Sequence, residues 1–232
     1  MNINLLVLFL IAHILGDFYF QRNYLSTRNN KLKTIFIHSL LYQCLFLLLL
    51  LTIDYDINLL LAIIVIGASH FILEFVFFLI KNNKWIENND FYVKQIIHII
   101  VIYFCLIDLQ NIDFNFSVNY LPYIMAFLLV DKPSNIMFKK IFTRFKPNDT
   151  KLNSNESYKK AGATIGSLER TLILICLINE LYSSIGLILT AKSIARYNRI
   201  SNEPEFSEYY LLGTLSSVFF TIIIYFLSFK LF

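Results

Sequence analysis

His13 and Asp17 stand four residues apart inside the apolar run "INLLVLFLIAHILGDFYF", and His70 and Glu74 repeat that spacing inside "SHFILEF". Residues at i and i+4 share one face of a helix, a turn apart. Each pair therefore sets an imidazole nitrogen beside a carboxylate oxygen. His38 in "HSLLY" and His98 in "KQIIH" complete a set of four histidines, and Gln95 precedes His98 by three positions on the same face. Nitrogen and oxygen donors in this combination suit a divalent transition metal, zinc first, better than calcium or magnesium. The same groups also serve a proton relay, or merely hydrogen-bond one helix to another.

These residues must be positioned by helices, because the chain is built for lipid. Hydrophobic residues make up 57% of its 232 positions, charged residues only 16%, and mean hydropathy is +0.61. No soluble surface is drawn from such a composition. Crossing the hydrocarbon takes about 20 apolar residues, and eight stretches approach that length: 3–20, 34–52, 58–80, 91–107, 117–141, 161–178, 182–197 and 209–229. The expectation is an all-α, polytopic transmembrane bundle of about eight spans. Pro133 interrupts the fifth stretch, since it lacks an N–H and disfavours helix at Lys132. The first stretch resembles the apolar part of a signal peptide, but no basic residue precedes it and no small-x-small cleavage site follows. It is read as a retained helix.

Basic residues collect after the first, third and fifth stretches, whereas "TIDYDIN" and "IDLQNIDFN" carry acids and no bases. Because cytoplasmic loops hold the excess of Lys and Arg, this alternation predicts both termini outside the cytoplasm. It also puts all four histidines in the cytoplasmic half of the membrane. Residues 142–160, rich in Asn, Ser and Lys, read as a basic cytoplasmic linker able to dock a partner. They separate an N-terminal membrane domain, 1–141, from a C-terminal three-helix region, 161–232. A net charge of +4 is too mild and too scattered for nucleic acid. The three cysteines lie in apolar runs without C-x-x-C spacing and indicate neither disulfides nor a thiolate metal site.

A second polar set falls in the last stretches: Glu169, Arg170, Lys192, Arg196 and Glu208. Glu169 and Glu208 read as members of a structural ion-pair network. Arg170, Lys192 and Arg196 leave surplus positive charge, suited to a phosphate-bearing lipid or another anionic substrate.

"HILGDFYFQ", "HSLLY", "SHFILEF" and "KQIIH", in that order, resemble a family of bacterial polytopic membrane proteins known as domain of unknown function 3307. The family's pattern runs H-x-x-x-D-F-x-x-Q, H-x-x-x-Y, H-x-x-x-D and D-Q-x-x-H, so Glu74 and Lys94 depart from it. "GSLERTLI", "AKSIARY" and "EYYLLGTLSS" resemble the second half of longer members. The resemblance implies a bacterial inner-membrane protein, but it carries no activity. Taken with the residues themselves, it leads to an expected metal site of His13, Asp17, His38, His70 and His98. Asp17 and Glu74 are the candidate catalytic carboxylates of a metal-dependent hydrolase. A proton-coupled transporter and a non-catalytic scaffold or sensor are the alternatives.

Overall fold

Helix α1, Ile3–Ile14, starts where the Asn2 side chain accepts a hydrogen bond from Leu5 N at 3.3 Å, satisfying one of the free amides of its first turn. It runs into a single π turn, Leu15–Tyr19. Helices α2, Lys31–Leu48, α3, Ile57–Leu79, and α4, Lys84–Leu106, follow. Asp56 caps α3 by accepting from Asn58 N at 2.7 Å. This computed structural model describes residues 2–20, 31–54, 56–80, 84–109, 112–142 and 156–230. Arg22, Arg28 and Lys81, three of the loop bases that predict orientation, lie outside the described residues, as does most of the 142–160 linker.

The chain forms two compact units, Met1–Leu121 and Pro122–Phe232. In the first, α1 and α3 each pack on both α2 and α4, closing a ring of four helices. One end of the ring is tied together by backbone bonds. Ile53 and Phe114 form an antiparallel bridge, Asp54 N donates to Asp113 O at 3.2 Å, and Asn2 N donates to Leu109 O at 3.2 Å. The segments gathered there are the start of α1 and the two base-free connections, so neighbouring helices alternate in direction.

That end is filled by apolar side chains: Leu5, Phe9, Phe46, Leu59, Ile63, Ile102 and Leu106 are fully buried. Tyr42 and Phe46 stack at 4.7 Å, and Phe9 meets Phe46 edge-on at 5.4 Å. Gly67 allows α2 its close approach to α3, since a Cβ there would overlap the Gln43 amide. The outward faces carry exposed Phe36, Leu40, Leu61, Ile64, Ile72 and Phe104. Polar side chains inside and apolar ones outside invert the order of a soluble domain and fit a lipid surround.

Leu32–Leu51, Ile57–Leu79, Asn89–Leu106 and Pro204–Phe229 are long and apolar enough to cross a membrane. The protein is thus helical and membrane-associated, and its only β feature among the described residues is the Ile53–Phe114 bridge.

In the second unit the fifth stretch is broken. It folds as α5, Leu121–Val130, and α6, Lys132–Phe142, with Asp131 at the break. Both pack with the later helices: α6 meets α7 and α10, and Ala126 and Val130 of α5 share a buried core with Leu174 and Ile224. Pro133 has no N–H to give the Leu129 carbonyl, and the Ser134 hydroxyl supplies the bond instead at 2.7 Å. Helices α7, Glu156–Ile178, α8, Tyr182–Ala195, α9, Tyr197–Asn202, and α10, Pro204–Phe229, complete the chain. Along α10, Thr214, Ser217, Thr221 and Ser228 form a buried stripe of small hydroxyl residues, the composition that favours close helix contact in a bilayer.

Candidate functional site

Asp17 lies inside the π turn. Phe20 N reaches back five residues to Leu15 O at 2.9 Å, so the turn is wider than an α-helical one and re-aims the side chains it carries. The Asp17 carboxylate is buried and is approached from all four helices. Oδ1 stands 3.0 Å from His70 Nε2 and 3.5 Å from His38 Nε2. Oδ2 accepts from Gln95 Nε2 at 2.8 Å and lies 3.9 Å from His13 Nε2. His13 is held by Gln95 Oε1 at Nε2 and by the Tyr42 hydroxyl at Nδ1, both at 2.9 Å. The rings themselves stack: Tyr42 on His70 with centroids 3.8 Å apart, and His70 on His98 at 4.6 Å. All four histidines are at most 5% exposed.

Each histidine sits at the end of a buried apolar row. Moving toward the base-free loops in steps of four, His13 is followed by Phe9 and Leu5, His38 by Tyr42 and Phe46, His70 by Ile66, and His98 by Ile102 and Leu106, all buried. The rows face the bundle interior, and the imidazoles therefore do too. Interhelical hydrogen bonds inside a membrane contribute about 0.5–2 kcal/mol each, so the cluster also helps hold the ring of helices together.

The donor set fits a metal. Asp17, His70 and His98 each offer one ligand atom, and these atoms lie within 4.8 Å of one another. A tetrahedral ion with bonds of about 2.0–2.2 Å holds its ligands roughly 3.4 Å apart, a spacing inside the 4.8 Å bound of this set. His70 Nδ1 and His98 Nε2 are buried and meet no hydrogen-bond partner among the described residues. A buried polar atom left so is costly, and a cation or shared proton would satisfy it. Asp17 contacts no Lys or Arg among the described residues, so a positive charge at this point would also balance the carboxylate.

Glu74 is engaged elsewhere. Its Oε2 accepts from Lys94 Nζ at 2.9 Å, with both side chains about five-sixths buried, at 16% and 17% exposed. Lys94 also lies over the Phe77 ring at 5.2 Å. Of the expected site residues the structure thus gathers His13, Asp17, His38, His70 and His98, and leaves Glu74 in an ion pair. Two further members, Tyr42 and Gln95, join the cluster. Tyr42 is detectable as the residue four beyond His38, on the same face.

The second polar set does not form one site. Arg170 is buried, its Nε donating to Val130 O at 2.6 Å and its Nη2 to Asn135 Oδ1 at 2.7 Å. Asn135 in turn donates to Ser167 at 2.8 Å, and Ser167 donates to Asp131. Lys192 bonds Glu169 and lies 3.4 Å from Thr214 Oγ1. Arg196 and Glu208 are exposed and make no ion pair among the described residues. Arg170 therefore serves the carbonyl at the break before Pro133. Asp131, Asn135 and Ser167 gave no separate signal in the sequence, because what they serve is created by that break.

Fold and site define a helical membrane bundle whose first four helices surround a buried carboxylate with imidazoles. Residues 5–125, more than half of the chain, match the model of the family described as "Protein of unknown function (DUF3307)", and the chain belongs to that family. No curated protein and no solved structure matches it. The two positions that depart from the family's motifs, Glu74 and Lys94, are bonded to each other.

Proposed function

We propose that the first unit holds one divalent transition-metal ion, zinc by donor type, between Asp17, His70 and His98, and that the protein is a membrane-embedded metal-dependent hydrolase. The observation that carries this reading is the convergence of one donor atom from each of these three residues within 4.8 Å, together with the buried His70 Nδ1 and His98 Nε2, which meet no hydrogen-bond partner among the described residues. Three protein ligands with a fourth position left for water is the usual form of a catalytic zinc site, whereas structural sites close all four. The metal at such a site lowers the pKa of its water toward neutrality and supplies a nucleophile. His38 Nε2 stands 3.5 Å from Asp17 Oδ1, beside the proposed ligand set. Glu74, bonded to Lys94, is not assigned the general-base role.

The alternation of basic and base-free loops supports an inner-membrane location with both termini outside the cytoplasm and the cluster in the inner-leaflet half. A phosphate-bearing substrate held by Arg170, Lys192 and Arg196 forms no part of the proposal, since the first two are committed to internal partners.

Elemental analysis of detergent-purified protein tests the reading. About one equivalent of zinc, or of a first-row metal that zinc displaces, is expected in the wild type, with less than a tenth of it in His70→Ala and His98→Ala. A wild type that is metal-free and takes up none on dialysis overturns it.

A further inference from the structure

The geometry points to Gln95 as the positioning residue of the cluster: its side-chain amide sets the direction of every proton along the line Tyr42, His13, Gln95, Asp17 and keeps His13 out of the ligand set. Only the metal arm of this inference rests on the function proposed above.

The argument starts from what each group can accept. An ionised carboxylate has no proton to donate, so the half of the Gln95 amide that faces Asp17 Oδ2 at 2.8 Å must be its NH2. The amide carbonyl Oε1 then faces His13 Nε2 at 2.9 Å. A carbonyl only accepts, so His13 Nε2 carries a hydrogen. The neutral ring consequently has its lone pair at Nδ1, where the Tyr42 hydroxyl stands at 2.9 Å to donate. Both nitrogens of His13 are thereby engaged, although it is the histidine closest to Asp17 in the chain. His70 and His98 differ from it, each retaining a buried nitrogen without a partner among the described residues.

Gln95 also divides the carboxylate. It takes Oδ2 and leaves Oδ1 facing His70 and His38 at 3.0 and 3.5 Å. Tyr42 closes the arrangement from the other side: its hydroxyl meets His13 while its ring lies nearly parallel to that of His70, at 14°. One amide on α4 thus connects the aim of Asp17, the tautomer of His13 and, through Tyr42, the packing of His70.

The test is nitrogen NMR of 15N-histidine-labelled protein in detergent, with His13 assigned by its loss in His13→Gln. The expected wild-type spectrum shows His13 protonated at Nε2 and bare at Nδ1, and zinc leaves both nitrogens unmoved while shifting those of His70 and His98. His13→Gln is expected to keep one equivalent of zinc with an affinity ~10–100-fold weaker, the usual effect of losing a group that orients a ligand. Gln95→Leu, which removes both amide bonds, is expected to weaken zinc to the same degree and to alter the visible spectrum of the cobalt-loaded protein as His13 becomes free to bind. A zinc-induced shift at either His13 nitrogen, or loss of all metal in His13→Gln, overturns the inference. If the wild type takes up no zinc, the metal reading falls, and the metal-free spectrum still decides on Gln95: Nε2–H at His13 sustains it and Nδ1–H overturns it.

Discussion

Lys94 donates to Glu74 at 2.9 Å one helical turn from the place where His98 stacks on His70 at 4.6 Å. The two antiparallel helices α3 and α4 keep one register through both layers, so the ion pair and the stacked rings brace each other. With about five-sixths of each side chain buried, removal of one partner leaves the other charge poorly solvated. Glu74→Ala and Lys94→Ala are each expected to lower stability by about 1–3 kcal/mol, less than a fully buried pair would lose. The double variant should cost less than the two single changes added together. Denaturant unfolding of the purified proteins measures this, and strictly additive costs would show that the pair is not coupled.

Acid should strip the metal from the cluster. Each imidazole that takes the ion must first be neutral, so protons compete and affinity falls as pH falls. Zinc titrations from about pH 8 downward check this, and an affinity that rises as pH falls would rule out imidazole ligation.

Gly16, in the π turn, faces the Tyr42 ring at close range. A Cβ at that position would lie 2.6 Å from Cδ2 of Tyr42. Gly16→Ala must therefore push Tyr42 away from His13, with an expected cost of about 1–3 kcal/mol. Zinc affinity should fall in parallel, because the displaced ring also packs on His70. Thermal unfolding and a zinc titration of the same preparation read both effects.

Arg170 is expected to resist its nearest chemical substitute. Its guanidinium reaches Val130 O and Asn135 Oδ1 at once, and a lysine ammonium at the same site cannot reproduce that fork. Arg170→Lys should cost about 2–3 kcal/mol through a carbonyl left without a donor. Metal content should remain at the wild-type level, since the cluster belongs to the other unit. Unfolding and elemental analysis together separate this structural role from a substrate-binding one.

The inward direction of the histidines was legible in the sequence, because each is continued at four-residue intervals by large apolar or aromatic residues: Phe9, Tyr42, Ile66 and Ile102. Shared faces also announced the pairing of His13 with Asp17. What the spacing could not carry depends on other helices. Whether a ring keeps a free nitrogen is decided by its neighbour across the bundle, so His13 and His70 look alike in sequence and differ in the fold. Glu74 stands to His70 as Asp17 stands to His13, yet α4 brings Lys94 against it. The π turn leaves no mark in residue periodicity, since a single wide turn changes the aim of a side chain without changing its spacing. Counting charges in the second unit suggested an anion site, but the Val130 carbonyl at the break between α5 and α6 claims Arg170 first.

The tied end of the first unit is also its apolar end. Between the rings and that end lie Phe9, Phe46, Ile63 and Ile102, all fully buried, so a hydrated ion crossing there would have to displace packed apolar side chains. Anything bound for Asp17 from the tied end would meet this apolar plug, and a polar species passing along the bundle axis from one face of the bilayer to the other would have to break it open.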